Sequence, residues 1–320
     1  MKRISVRNLY IRKIRDAKHR DKSQRTHTLT PDLSPRIHQL LTQLAPALPP
    51  LPLNKADWQA FAFRWRQRES LLGRFGFLQP IKHLPTIQLE DLHCIDTQKA
   101  KILANTQQFV SGLPANNVLL TGARGTGKSS LIKACLQQFA HLGLRLVEID
   151  KAHLNDLGDI VELLAPRPER FILFCDDLSF TADEPGYNAL KSSLDGSVAT
   201  LTNNILVYAT SNRRHLAAEY MQDNLAHQIG QGEIHPGEAV EEKISLSERF
   251  GLWLSFYPPK QDAYLQMVTH WLAHFHGDTT PAALDIAHAQ ALIWALERGS
   301  RSGRVAWQFA RDYVGRLSLP

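Results

Sequence analysis

The residues that most constrain this chain are GARGTGKS at 122–129. They fill the pattern GxxxxGK[ST]. An apolar run, NNVLLT at 116–121, precedes them, and a helical pattern over 128–140 follows, with Leu131, Ile132, Cys135, Leu136 and Phe139 in one stripe. A strand that turns through glycines into a helix points backbone N–H groups at one spot, and the helix N-terminus adds partial positive charge there. Such a loop is built for phosphate oxygens. Gly122, Gly125 and Gly127 permit the turn, and Ala123, Arg124, Thr126 and Ser130 complete the cradle. Lys128 is expected to reach the β- and γ-phosphates and Ser129 to ligate Mg2+ beside them. The dinucleotide pattern GxGxxG is absent, so the expected cofactors are ATP and Mg2+ and not NAD.

A second run, FILFCDDL at 171–178, ends four apolar residues and a cysteine with two carboxylates. A buried strand delivers such residues to the carboxyl edge of a sheet, opposite the phosphate loop. Asp176 there would complete the Mg2+ site with Ser129, and Asp177 would act as the general base toward water. The alternative for Asp177 is a cap on the following helix.

Further strand-like runs lie at 145–149, 204–210 and 252–257, mostly separated by helical patterns. Strands too apolar to alternate, spaced by helices, predict a parallel sheet covered on both faces, here of five strands. After 260 the strands stop, and three helical patterns joined by Gly, Pro and Ser turns predict a small helical lid. The expected division is a basic arm and Pro-rich linker at 1–53, a helical extension at 54–85, the α/β domain at 86–259 and the lid at 260–320. The extension rests on Trp58, Phe61, Trp65 and Leu72, which recur at helical spacing beside Arg64, Arg66, Arg68 and Arg74. Arginines among aromatics can also stack bases.

Composition adds two limits. With 43% hydrophobic and 21% charged residues the chain is not wholly disordered, and no apolar run approaches the ~18 residues that cross a bilayer. The net charge of +6 is concentrated: residues 1–25 hold ten Lys/Arg against two Asp, leaving 27 basic and 29 acidic residues elsewhere. That arm is able to touch nucleic acid or an acidic partner, or simply to stay solvated. Three scattered cysteines without a CxxC pair give no disulfide framework, and with no secretory signal a cytoplasmic location is expected. His270, His274 and His276 lack the glutamate of HExxH, so a solvent-facing lid helix is expected there. The insertion at 224–243 is read as a surface or substrate loop.

In this order, these motifs make residues 85–320 resemble the AAA+ ATPases. The resemblance implies an α/β P-loop NTPase of AAA+ type with a helical lid. It assigns a water-positioning sensor to Asn212 in NILVYATSNRR, with Thr210 and Ser211 as neighbours, and an arginine finger to Arg249 in SERFG. It also assigns a lid sensor to Arg304, or to Arg301, in GSRSGRVAWQF, and puts Leu92 and Ile95 near the adenine pocket. A finger acting across subunits implies a homo-oligomer with the ATP site at its interface and an unknown protein client. The bland alternatives are a turn cap for Asn212, local ion pairs for Arg249 and solvation for Arg301 and Arg304. More narrowly, NNVLLTGARGTGKSSL, FCDDLSF, LKSSLDGS, YATSNRRHL and KISLSERFGLW resemble a bacterial AAA+ family carried under a domain-of-unknown-function label. Hydrolysing relatives mostly carry Glu where this chain has Asp177. A slow ATP-gated switch or loader is therefore the alternative to a remodelling ATPase, and a small-molecule kinase is a third reading.

Overall fold

Runs that are apolar at every position need a cover on each side, and the chain supplies both. The computed structural model describes residues 39, 42–43, 57–70, 73–84, 87–178, 185–194, 202–212 and 247–318. Residues 1–48 and 49–320 form two separate units, and only three described residues belong to the first. The second unit contains strands β1 (Ala62–Ser70), β2 (Gly73–Pro80), β3 (Val118–Gly122), β4 (Leu144–Ile149), β5 (Arg170–Cys175), β6 (Ile205–Ser211) and β7 (Leu252–Phe256). Its helices are α1 (Asp96–Val110), α2 (Lys128–Phe139), α3 (Leu157–Leu164), α4 (Pro185–Leu194), α5 (Gln261–His274), α6 (Pro281–Glu297) and α7 (Gly303–Leu317).

One seven-stranded sheet runs in the order β2-β1-β4-β5-β6-β3-β7. All neighbours are parallel except the antiparallel β1–β2 pair. Alternate residues of β5 serve opposite cores. Phe171, Leu173 and Cys175 join α3 and α4 on one face, while Ile172 and Phe174 join α1 and α2 on the other. The β5 strand, which ends at the two aspartates, is separated from the phosphate-loop strand β3 by β6. That order, with the loop after β3 and the helical lid after β7, is the AAA+ type of P-loop fold. The five expected strands are all present, and the hairpin β1–β2 raises the count to seven.

The hairpin corrects the expected helical extension at 54–85. Trp58, Phe61 and Trp65 do fit a helical repeat, but Phe63 and Trp65 alternate with Arg64 and Arg66 at period two, and that period wins. Phe63 and Trp65 are buried in the core shared with α3. Gly73, with φ +119°, closes the turn in a conformation that side chains disfavour. Gly76 lies directly under the Trp65 ring, which a Cβ would meet at 1.9 Å. Leu72 and the insertion at 224–243 lie outside the described residues.

A clamp of polar side chains registers the sheet against α1. Asn105 donates to the Asn116 carbonyl and to the Tyr208 hydroxyl and accepts from the Asn116 N–H, at 2.9–3.1 Å. The Tyr208 hydroxyl also meets Thr106 at 2.8 Å. Tyr257–Lys260, with two consecutive prolines, leads into the lid. There Ala287, Ala291 and Ala295, one turn apart on α6, allow close packing beside Tyr264, Val268, Leu272, Ala306 and Phe309. Ser302 caps α7 by accepting from the Val305 N–H at 3.3 Å. Among the described residues no helix is long and apolar enough to cross a membrane.

Candidate functional site: a phosphate-loop cleft under the lid

At the carboxyl ends of β3, β5 and β6 the sheet opens into a cleft of about 760 Å³, a size suited to a small organic ligand. Its floor is the phosphate loop. A Cβ on Gly122 would sit 1.9 Å from the Phe256 carbonyl, and the Ala123 N–H donates to that same carbonyl at 3.3 Å. Close approach of β7 thus requires glycine here. Gly127 is left-handed, with φ +97°, at the start of α2. Between them Arg124, Gly125 and Thr126 line the cleft, as do Ser129 and Ser130.

The Lys128 ammonium donates to the Gly122 and Ala123 carbonyls at 2.7 Å each and to Asn212 Oδ1 at 3.2 Å. The residue is only 5% exposed. Burial, stripping water from the ammonium, pulls its pKa down to about 8 against the opposing pull of Asp176 and Asp177. An anion entering the loop would therefore meet a cation that has lost most of its solvation. Phosphate oxygens are such an anion.

Ser129 Oγ donates to Asp176 Oδ1 at 2.6 Å. Thr210 Oγ1 donates to the same oxygen at 2.6 Å and accepts the Asp177 N–H at 2.9 Å. One hydroxyl on β6 therefore holds both acids. A serine hydroxyl against a carboxylate suits a hard divalent cation that keeps several waters, so these residues fit the implied Mg2+. Asp177 has φ +54°, a conformation uncommon outside glycine. Its carboxylate accepts from Asn212 Nδ2 and lies 3.8 Å from the Arg124 guanidinium. Residues 179–184, to which the capping alternative for Asp177 refers, lie outside the described residues.

The lid closes one side. Gly125 approaches α7 so closely that a Cβ would lie 2.7 Å from Ser302 Oγ, and the Arg304 N–H points at the Gly125 carbonyl at 3.4 Å. Arg304 lines the cleft, whereas the exposed Arg301 does not. Leu92 and Ile95 line it as well, with methyl groups beside Gly127. Arg249 lies on the turn before β7, half-buried and outside the lining of its own chain's cleft.

Several lining residues were not singled out by sequence. Tyr257, Trp271 and Trp307 form an aromatic wall with Met267, beside His274 of the lid histidines. The lid histidines also depart from a purely solvent-facing helix. His270 Nε2 meets Asp91 Oδ1 at 3.0 Å and its ring lies 4.3 Å from that of His93, tying the segment before α1 to α5. Burial and the neighbouring His270 lower the pKa of His93. Among the described residues no group of three ligating side chains could hold a metal ion.

Comparison with solved structures gives distant similarities. A point-mutant RuvB from Thermotoga maritima is similar at 17% identity and a TM-score of 0.47, over 71% of this chain and 64% of that one. ORC1 from Aeropyrum pernix, solved in complex with DNA, is similar at 14% identity and 0.46, over 71% of this chain and 59% of that one. The FIGL-1 AAA domain, solved with ADP, is similar at 18% identity and 0.45, over 71% and 73%. The chain thus spans under two thirds of the RuvB and ORC1 chains named here. The fold assignment rests on the strand order, phosphate loop and lid, and not on these scores. No curated protein matches the sequence. A family model described as "Protein of unknown function (DUF815)" matches residues 58–317, and the chain belongs to that family.

Proposed function

We propose that this protein binds ATP with Mg2+ in the cleft and hydrolyses it to ADP and phosphate, driving the remodelling of a macromolecular partner. One observation carries the reading. A desolvated Lys128, the Ser129–Asp176 pair and the Asp177–Asn212 pair converge on one phosphate loop. Lys128 and the loop amides of 122–130 hold the phosphates. Bound at Ser129 and Asp176, Mg2+ would neutralise charge on the β- and γ-phosphate oxygens. Asp177 accepts a proton from the attacking water, and Asn212 orients that water. Arg304, at the N-terminus of α7, reports the filled site to the lid.

Arg249, outside its own cleft, acts in the site of a neighbouring subunit, where its guanidinium stabilises charge at the γ-phosphate. This makes the working form a homo-oligomer with shared ATP sites. The partner is a protein client, with the basic arm at 1–25 available to nucleic acid. A cytoplasmic location is part of the same proposal.

The test is Mg·ATP turnover per chain across protein concentration, with Lys128→Ala as the blank. The rate per chain should rise with concentration. Arg249→Ala should keep ATP binding and lose about 10³-fold or more in turnover, the low end of the ~10³–10⁵ span of such fingers. Unchanged turnover in Arg249→Ala sinks the shared site. Tight ATP binding with near-zero turnover at every concentration favours the alternative, an ATP-gated switch or loader. One observation favours that alternative: the Asp177 carboxylate is already engaged by Asn212 and Arg124.

A further inference from the structure

The β1–β2 hairpin extends past the edge of the parallel sheet. Only Ala62, Phe63 and Arg64 of β1 pair with β4, whereas β1 pairs with β2 along Phe63–Ser70. Residues 65–70 and 73–78 therefore pair as a two-stranded ribbon, and its faces differ. Partners in an antiparallel pair share a face. One face carries Trp65, Gln67 and Glu69 opposite Leu78, Gly76 and Arg74. Its polar groups are matched: Trp65 and Gln67 both donate to Asp156, at 2.7 and 2.8 Å, and Arg74 pairs with Glu69 at 3.0 Å.

The other face carries Arg64, Arg66 and Arg68 opposite Gln79, Phe77 and Phe75. Arg64 is neutralised by Glu148 at 2.7 Å. Arg66 and Arg68 are exposed. Arg66 donates to the neutral Gln79 amide oxygen at 3.4 Å, and among the described residues no carboxylate pairs with either arginine. Phe75 and Phe77 lie directly opposite them, half-buried and outside the hydrophobic clusters of the protein. Among the described residues, then, two guanidinium groups without a carboxylate partner sit beside two phenyl rings on this face of the ribbon.

We infer that this face binds single-stranded nucleic acid, the arginines taking phosphates and Phe75 and Phe77 stacking bases. Access to base faces selects the single strand. A base in a duplex has both faces covered by its neighbours, so only an unstacked base offers a face to a phenyl ring. Aromatic platforms beside a basic track bind such strands with little regard to sequence. An acidic peptide would satisfy the arginines and leave the rings unused. This inference goes beyond the proposed ATPase and does not depend on it, because the ribbon lies outside the nucleotide cleft.

The experiment is fluorescence anisotropy of the full-length chain with labelled oligo-dT and oligo-U, over a range of salt. Arg66→Gln with Arg68→Gln should weaken binding and reduce the log–log salt slope by about 1.4, at ~0.7 per phosphate contact on a single strand. Phe75→Leu with Phe77→Leu should weaken it about tenfold or more and leave that slope unchanged. Oligo-dT against oligo-U separates DNA from RNA as the source, and tighter binding of either supports the site. Lys128→Ala should bind as wild type, which separates this outcome from the fate of the ATPase reading. Should the phenylalanine variant misfold by circular dichroism, crosslinking of 5-iodouridine oligomers to the wild type decides, and the crosslinked peptide should contain residues 73–80. Four results overturn the inference: no binding, crosslinks confined to residues 1–25, equal affinity for a duplex, or full displacement by polyglutamate of the same charge.

Discussion

Lys128 is the residue on which the site's electrostatics turn. Burial holds its pKa at about 8 against an ordinary 10.5. Between those values the unfolded chain keeps a proton that the folded chain has lost, so stability rises with pH across that window. Below pH 8 both forms are charged and the contribution is flat. Urea unfolding without nucleotide should therefore show wild type gaining on Lys128→Met from pH 8 to 10, with a constant difference from pH 6 to 7.5. No gain of wild type on Lys128→Met above pH 8 contradicts the buried ammonium. The neighbouring acids show what a sequence can and cannot disclose. Asp176 and Asp177 could be placed because they follow a readable apolar strand, whereas Asn212 entered only through the resemblance. The part played by Thr210 could not be read, since it depends on β5 lying beside β6 in the register that pairs Cys175 with Ala209. Nor does spacing choose between Arg301 and Arg304. Ser302, by capping α7, leaves one arginine inside the first turn and the other outside it.

Among the elements, the hairpin is where local pattern and tertiary structure diverge. The five central strands could be read because residues buried on both faces leave continuous apolar runs. In β1 only one face is buried, and Trp65 satisfies the helical repeat and the period-two repeat alike. The glycines at 73 and 76 carried the missing signal, because two glycines within four residues weaken a helix and suit a turn and a close ring contact. That contact has a measurable cost. Gly76→Ala forces a methyl group into the Trp65 ring, and the fixed indole, bonded to Asp156, has little room to yield. It should destabilise the protein by about 1–3 kcal/mol in urea unfolding. The exposed Gln79→Ala on the same strand should stay within about 0.5 kcal/mol.

For the whole molecule, the cleft joins the sheet to the lid, and a ligand there binds only the folded form. Mg·ATP at 100 times its dissociation constant should stabilise the protein by about 2.7 kcal/mol, seen as a raised Tm. Lys128→Ala should abolish the shift, and removing Mg2+ with EDTA should diminish it. An unchanged Tm for wild type at saturating Mg·ATP would count against nucleotide binding in the cleft. The aromatic wall of Tyr257, Trp271 and Trp307 could not be foreseen from spacing, since it exists only once the lid folds back over the phosphate loop. That same folding back sets the N-terminus of α7 against Gly125, through Ser302 and the Arg304 amide, while the rest of α7 is packed in the lid. At ~1.5 Å per residue the 15 residues of α7 reach about 22 Å from that contact. A tilt of the lid by about 10° at the loop carries Leu317 through about 4 Å, so the lid, with α7 as its arm, turns a small displacement at a phosphate group into one the size of a side chain at its far end.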